Sequence, residues 1–240
     1  TGVGAYSGRY QVGSANTAVG YEALQGTLSG SNTGVNSTAV GYQALRSITS
    51  GNYNVAVGLQ AGVSLSTQTY NTMVGYQAGY ASAANGKTLI GHGAGFAGAN
   101  DGYSTFVGYL AGTNNETYTN TGVGSQALGT NTSGSGLTAM GDRALFSNVG
   151  GANNTGVGSL AGYTNTGGSD NTSIGLYANF YPTGSNNTAL GSHALYGVAA
   201  GSTAFNNVAV GHNTLKLITS GNLNTAMGTS AGTATSSGVR

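Results

Sequence analysis

The sequence predicts an all-β protein: a parallel β-solenoid, or β-roll, of about 14 coils of 16–17 residues, with residues 1–240 forming one repeat domain. Two observations predict it. A Gly preceded by an aliphatic residue returns in phase along the whole chain, and the residues before it alternate in a β-branched pattern of period two.

The anchoring glycines are Gly4, Gly20, Gly41, Gly58, Gly75, Gly91, Gly108, Gly124, Gly141, Gly158, Gly175, Gly191, Gly211 and Gly228. Val, Ile, Leu or Met stands just before each of them. Three residues before, twelve of the fourteen positions are Thr, and the other two, Val55 and Val208, are also β-branched. Three residues after the Gly stands Ala in twelve coils, and four residues after comes Leu or Gly in all but Asn179. The unit therefore reads N-T-A-V-G-Y-x-A-L followed by a polar, Gly-rich stretch.

Each part of this unit has a structural consequence. In T-x-V the Thr and Val share one face of a strand and the residue between them faces the other way. The Gly permits a bend, through positive φ or close backbone approach. A second short strand is expected at Leu45–Thr49 and at its near copy Leu215–Thr219, each closed by a Ser-Gly-Asn turn. Two strands per constant repeat stack in parallel, and at the inter-strand spacing fourteen coils make a rod of roughly 65 Å. Asn lies four residues before the Gly in nine coils, among them Asn54, Asn71, Asn154 and Asn224, where its amides are placed to bond along the axis. The longer spacings before Gly41 and Gly211 are read as loops ejected within 25–35 and 196–205.

Composition removes several functions. Only 5% of the 240 residues are charged and the net charge is +1, so no basic stripe holds nucleic acid and no nucleic-acid partner is expected. No apolar run approaches the length that spans a bilayer, so membrane insertion is not expected either. With no Cys there is no disulfide scaffold. The small side chains available to each coil make a thin core, which points to identical chains packing together with closed symmetry. Both ends are in phase with the repeat, so end-to-end stacking within something longer is also expected.

The N-T-A-V-G-Y-x-A-L unit, in its best copies Asn16–Leu24 and Ser37–Leu45, resembles the head repeats of YadA-like trimeric autotransporter adhesins and related repeats of phage tail fibres. The resemblance runs over essentially the whole chain, although the adhesin coil is shorter. It implies a left-handed β-roll, a homotrimer about the fibre axis, an extracellular place on a cell surface or virion, and attachment to a host surface glycan or protein.

Candidate chemistry is sparse. Gly93, Gly95 and Gly98 match G-x-G-x-x-G but lack the following helix and acidic residue of a dinucleotide site, and they fall at repeat positions. His92, His193 and His212 do not form a ligand set: His193 lies one coil from His212 but one position out of phase, so no pairing is expected. The acids Glu22, Asp101, Glu116, Asp142 and Asp170 sit in different coils, and Asp142–Arg143 reads as a surface pair. No metal, cofactor or enzymatic activity is expected. Tyr21, Tyr42, Tyr76 and Tyr109 share the position after the anchor Gly. They are either aromatic platforms for glycans or proteins, or rings packed at corners between neighbouring chains with their hydroxyls in water, and the packing reading is favoured. The function expected is a structural or adhesive fibre segment. The alternative is an ice-binding solenoid, motivated by the Thr ladder.

Overall fold

A computed structural model describes residues 1–27, 32–98, 102–198 and 202–233 of the chain. It divides into two compact units, Thr1–Thr119 and Asn120–Arg240. The first carries β1 (Gly2–Val3), β2 (Thr17–Val19), β3 (Thr38–Val40), β4 (Val55–Val57), β5 (Thr72–Val74), β6 (Thr88–Ile90) and β7 (Thr105–Val107). The second carries β8 (Thr121–Val123), β9 (Thr138–Met140), β10 (Thr155–Val157), β11 (Thr172–Ile174), β12 (Thr188–Leu190), β13 (Val208–Val210) and β14 (Thr225–Met227). Within each unit every strand pairs in parallel with the next; from β2 onward Thr stands against Thr or Val, and β1 sets Gly2 against Ala18. Each unit is thus a parallel β-solenoid, and no helix occurs among the described residues.

Register survives both long spacings: Thr17 pairs with Thr38, and Thr188 with Val208. The expected loops fall partly on 28–31 and 199–201, which lie outside the described residues, as does Asp101.

The second strand expected at 45–49 and 215–219 is absent. Residues 45–47 and 215–217 are turn and the next few are irregular or bent, so a coil holds one three-residue strand, not two. The cause is a pair of left-handed residues: Gln43 and Leu45 have φ of 57° and 48°, and Asn213 and Leu215 have 56° and 48°. Coil-to-coil bonding nevertheless continues through these turns, as Leu45 N–H donates to Ala61 O at 3.0 Å and Thr49 N–H to Ser66 O at 2.8 Å. The parallel stack is therefore held by backbone bonds all round the coil, and the strand is only its straightest part.

The anchor Gly is required on two counts. Gly58 has φ of 135°, outside the reach of a side-chain-bearing residue, and a Cβ there would lie 2.3 Å from Gly75 O of the next coil. Gly41 and Gly75 repeat this geometry: a Cβ on either would lie 2.5 Å from the carbonyl oxygen of the following anchor.

The strand's middle residue points inward and its Thr and Val point outward, the burial alternating accordingly. Inside, in most coils the strand middle and the residue four after the Gly share one volume, filled by one large side chain. Where the strand middle is Ala39 or Ala139, Leu45 or Leu145 fills the core; where it is Met73, Leu89 or Phe106, the later position is Gly79, Gly95 or Gly112. A Cβ on Gly112 would lie 2.4 Å from Phe106 Cδ2, and one on Gly79 2.5 Å from Met73 Sδ. In the coil of Gly158 both positions are glycine, and Leu145 of the coil before leans into the space, its Cγ 2.8 Å from where a Gly156 Cβ would sit.

Beside this apolar core runs the expected Asn ladder. Asn54 Oδ1 accepts bonds from both the backbone and side-chain N–H of Asn71, at 3.1 and 3.0 Å. In the second unit Asn154, Asn171, Asn187, Asn207 and Asn224 form an unbroken column, each Oδ1 taking the next residue's backbone N–H and Nδ2. Asn154, Asn171, Asn187 and Asn207 also donate across the coil, to Gly168, Gly184, Ala204 and Gly221 carbonyls at 2.7–2.9 Å. A second buried amide column, Asn131, Asn148 and Asn165, lies seven residues after the anchors, a position that is also a buried Asn at Asn115 and an apolar residue at Ile48, Leu65 and Ile218. The sequence reading did not single it out, although the same counting from the anchor Gly finds it.

Candidate functional site

With the interior committed to packing, any function lies on the surface, which is built of columns at coil spacing. In each unit the outward residues of the strands form an apolar column. Val19, Ile90, Met140, Leu190 and Met227 are 37, 39, 47, 45 and 71% exposed. A parallel column of Thr lies two residues earlier.

Next to it stand the tyrosines after the anchor Gly. Tyr21 and Tyr42 lie 5.5 Å apart between ring centroids with planes 9° apart, and Tyr6 meets Tyr21 edge-on at 5.7 Å. His92 occupies the same position in its coil and sits between Tyr76 and Tyr109, at 4.9 and 5.2 Å. Leu59 interrupts the column between Tyr42 and Tyr76. A ring within such a stack turns its face to its neighbour and its edge and hydroxyl to water, whereas a sugar stacks on a face. Along their own chain Tyr21 and Tyr42 pack on one another, and Tyr76 and Tyr109 pack on His92 between them. The Glu22 carboxylate beside Tyr21 pushes that phenol's pKa up.

One residue further, Glu22, Gln43, Gln60 and Gln77 form a hydrogen-bonded ladder at 2.8, 3.0 and 2.9 Å. Five residues after the anchors comes an aromatic column that the sequence reading missed. Phe146, Tyr163, Phe180 and Tyr196 stack at 5.4, 5.1 and 5.3 Å, with Tyr181 edge-on to Phe180 at 4.6 Å. Its signal was available in the same spacing count, but aromatic type varies between Phe and Tyr, which hides it from a search for one repeated letter.

The histidines correct one expectation. His193 and His212 do meet, their centroids 6.4 Å apart and their planes at 80°. The residues after the anchor Gly lie in a turn, so a one-position offset does not reverse the face as it would on a strand. Burial, then nearby Lys216 and His212, push the His193 pKa down. Asp142 and Arg143 form the expected surface pair at 3.5 Å. Gly93 and Gly95, of the G-x-G-x-x-G match, are turn residues with φ of 61° and 60° and lead into no helix. Among the described residues no three His, Asp or Glu side chains come together as a metal site would need, and no helix is long and apolar enough to cross a membrane.

Three charged side chains converge at one place in the first unit. Arg9, Tyr10, Glu22, Gln25, Thr27, Arg46 and Ser47 line a groove of about 500 Å³. Arg46 Nε lies 3.2 Å from Glu22 Oε2, and the Arg9 guanidinium lies over the Tyr6 and Tyr10 rings at 4.8 and 5.0 Å.

The fold and this surface define a parallel β-solenoid repeat protein, with a Thr ladder on the outer side of its strands. The chain matches no protein-family model, no curated protein and no solved structure.

Proposed function

We propose that the chain is a structural and adhesive segment of an extracellular fibre, on a cell surface or virion, in which three identical chains pack through the outer faces of their strands. The observation that carries this reading is the outward aliphatic column. Val, Ile, Leu and Met recur at that position in every coil, yet the chain folds with none of them buried, and Ile90, Met140 and Leu190 are close to half exposed. A row of apolar side chains at constant spacing is self-complementary to a symmetric copy of itself, and covering it removes a continuous strip from water. The near absence of charge along that strip leaves nothing to repel a second copy. The resemblance to adhesin and tail-fibre repeats supports threefold symmetry and a role in attachment, and the few, separated acids offer no paired acid and base for hydrolysis.

The test is the mass of the full chain in solution by light scattering or native mass spectrometry. Three chains per particle, persisting in mild detergent, is the expected result; a stable monomer overturns it. The outward Thr column favours a second reading, ice binding by an ordered hydroxyl row. Its partner row is aliphatic and not Thr, and the measurement that separates the two is thermal hysteresis, which the fibre reading expects to be absent.

A further inference from the structure

In a chain of 240 residues with only six basic and five acidic side chains, three of the eleven charges meet in one groove of the first unit. The groups there are not equally committed. Glu22 Oε2 takes Arg46 Nε at 3.2 Å and Gln43 Nε2 at 2.8 Å, so its charge is already answered. Arg9 meets no carboxylate or carbonyl among the described residues; its guanidinium rests over the Tyr6 and Tyr10 rings. Two ring faces hold the guanidinium plane in place without using its N–H donors, which stay available for a planar, two-oxygen acceptor. The remaining lining, Gln25, Thr27 and Ser47, offers neutral amide and hydroxyl groups, with Tyr10 the aromatic wall.

We propose that this groove binds a carboxylate-bearing pyranose, a sugar acid of the sialic or uronic type, with Arg9 taking the carboxylate. A guanidinium pairs a carboxylate through two parallel N–H bonds. The sugar's hydroxyls then have Glu22, Gln25, Thr27 and Ser47 as partners, and a volume of about 500 Å³ accommodates one or two pyranose rings. A single uncommitted cation beside a fixed carboxylate suits a monoanion rich in hydroxyls. It disfavours a phosphate dianion, because Arg9, Arg46 and Glu22 together leave the groove one net positive charge to set against two negative ones, and the lining has no apolar recess for a peptide side chain. The assignment deepens the attachment reading, since it names what such a fibre segment would hold.

The experiment is titration of the full chain, by calorimetry or ligand-observed NMR, with N-acetylneuraminate, glucuronate, methyl glucoside and inorganic phosphate. At least one of the two acids binds, and which one distinguishes the sialic from the uronic source; the glucoside and phosphate bind about tenfold more weakly or not at all. Arg9→Gln weakens acid binding by about tenfold, Arg9→Lys falls between, because it keeps the charge but not the fork, and Arg143→Gln changes nothing. Circular dichroism identifies any variant that has lost its fold, and the wild-type ligand series stands without the variants. Neither acid binding, phosphate or glucoside binding as well as the acids, or a folded Arg9→Gln that binds unchanged, each overturns the assignment. The mass measurement is independent of it: a trimer that ignores both acids removes this site and leaves the fibre reading standing, and a monomer that binds does the reverse.

Discussion

Gly58 carries two constraints in one position. Its φ of 135° excludes a side chain on conformational grounds, and the 2.3 Å that would separate a Cβ from Gly75 O excludes it on steric grounds. Gly58→Ala is expected to cost about 3 kcal/mol or more, the sum of backbone strain and overpacking, read as a lowered midpoint in denaturant unfolding. Asn179 is the opposite case, a residue the fold tolerates at a cost. It stands where other coils have Leu or Gly, is fully buried, and neither its Nδ2 nor its Oδ1 has a partner; Ser173 Oγ in the same coil is also without one. Its φ of 49° matches the 51° and 48° of Leu195 and Leu145, so Leu can occupy that backbone. Asn179→Leu is expected to stabilise the protein by about 1–3 kcal/mol by removing an unsatisfied amide and adding apolar packing, measured as a rise in Tm. The anchor role of Gly58 was legible in the sequence, because the requirement repeats at every coil. The cost at Asn179 was legible only as an exception to the pattern, since nothing in the letters says that its amide lacks a partner.

At the scale of the coil, the unit is a strand of three residues followed by a tight turn that contains residues of positive φ, and its core depends on a trade between two positions. Phe106 with Gly112 and Ala139 with Leu145 are two solutions of one volume problem. Phe106→Ala alone is expected to cost about 3–5 kcal/mol through the cavity it leaves, and Gly112→Leu alone to destabilise by overpacking against the Phe106 ring. The double variant is expected to recover much of both losses, so a double-mutant cycle should give a large favourable coupling between them. Additive effects would show that the two side chains do not share that space. The sequence displayed both columns, Leu or Gly in one and small or large residues in the other, but not that they compensate. Compensation needs the knowledge that the turn folds the later residue back over the strand's inner face. The expected second strand failed for the same reason: Leu45-Arg46-Ser47-Ile48-Thr49 alternates as a strand does, yet the left-handed residues Gln43 and Leu45 put it into a turn. Positive φ at a Leu is costly in isolation and is imposed here by coil-to-coil hydrogen bonds on both sides.

For the whole molecule the consequential feature is the outward strand face. If identical chains meet there, a charge placed in the column should prevent assembly while leaving each coil intact, because the side chain points away from the core. Ile90→Lys and Leu190→Lys, one in each unit, are expected to reduce the particle from three chains to one with the β-sheet circular dichroism retained. An unchanged mass would place the interface elsewhere. By contrast, Thr88→Ser on the same strand should leave the mass unchanged.

The sequence by itself determined the periodic part of this protein: the parallel stack, the anchor Gly, the alternation of faces along the strand and the Asn ladder. Each of these is one local requirement repeated at every turn, and a requirement repeated in phase is visible as a letter in a column. The tertiary structure alone decided what depends on how the turn closes. That includes the single strand per coil, the volume shared between Phe106 and Gly112, the meeting of His193 with His212, and the stacking of Tyr76 and Tyr109 on His92. It also brought Arg9, Glu22 and Arg46 from three successive coils to one groove. The physical reason is that a left-handed residue changes the direction of everything after it, so side chains in unlike positions come to share one space, and that relation is carried by backbone angles and not by residue type.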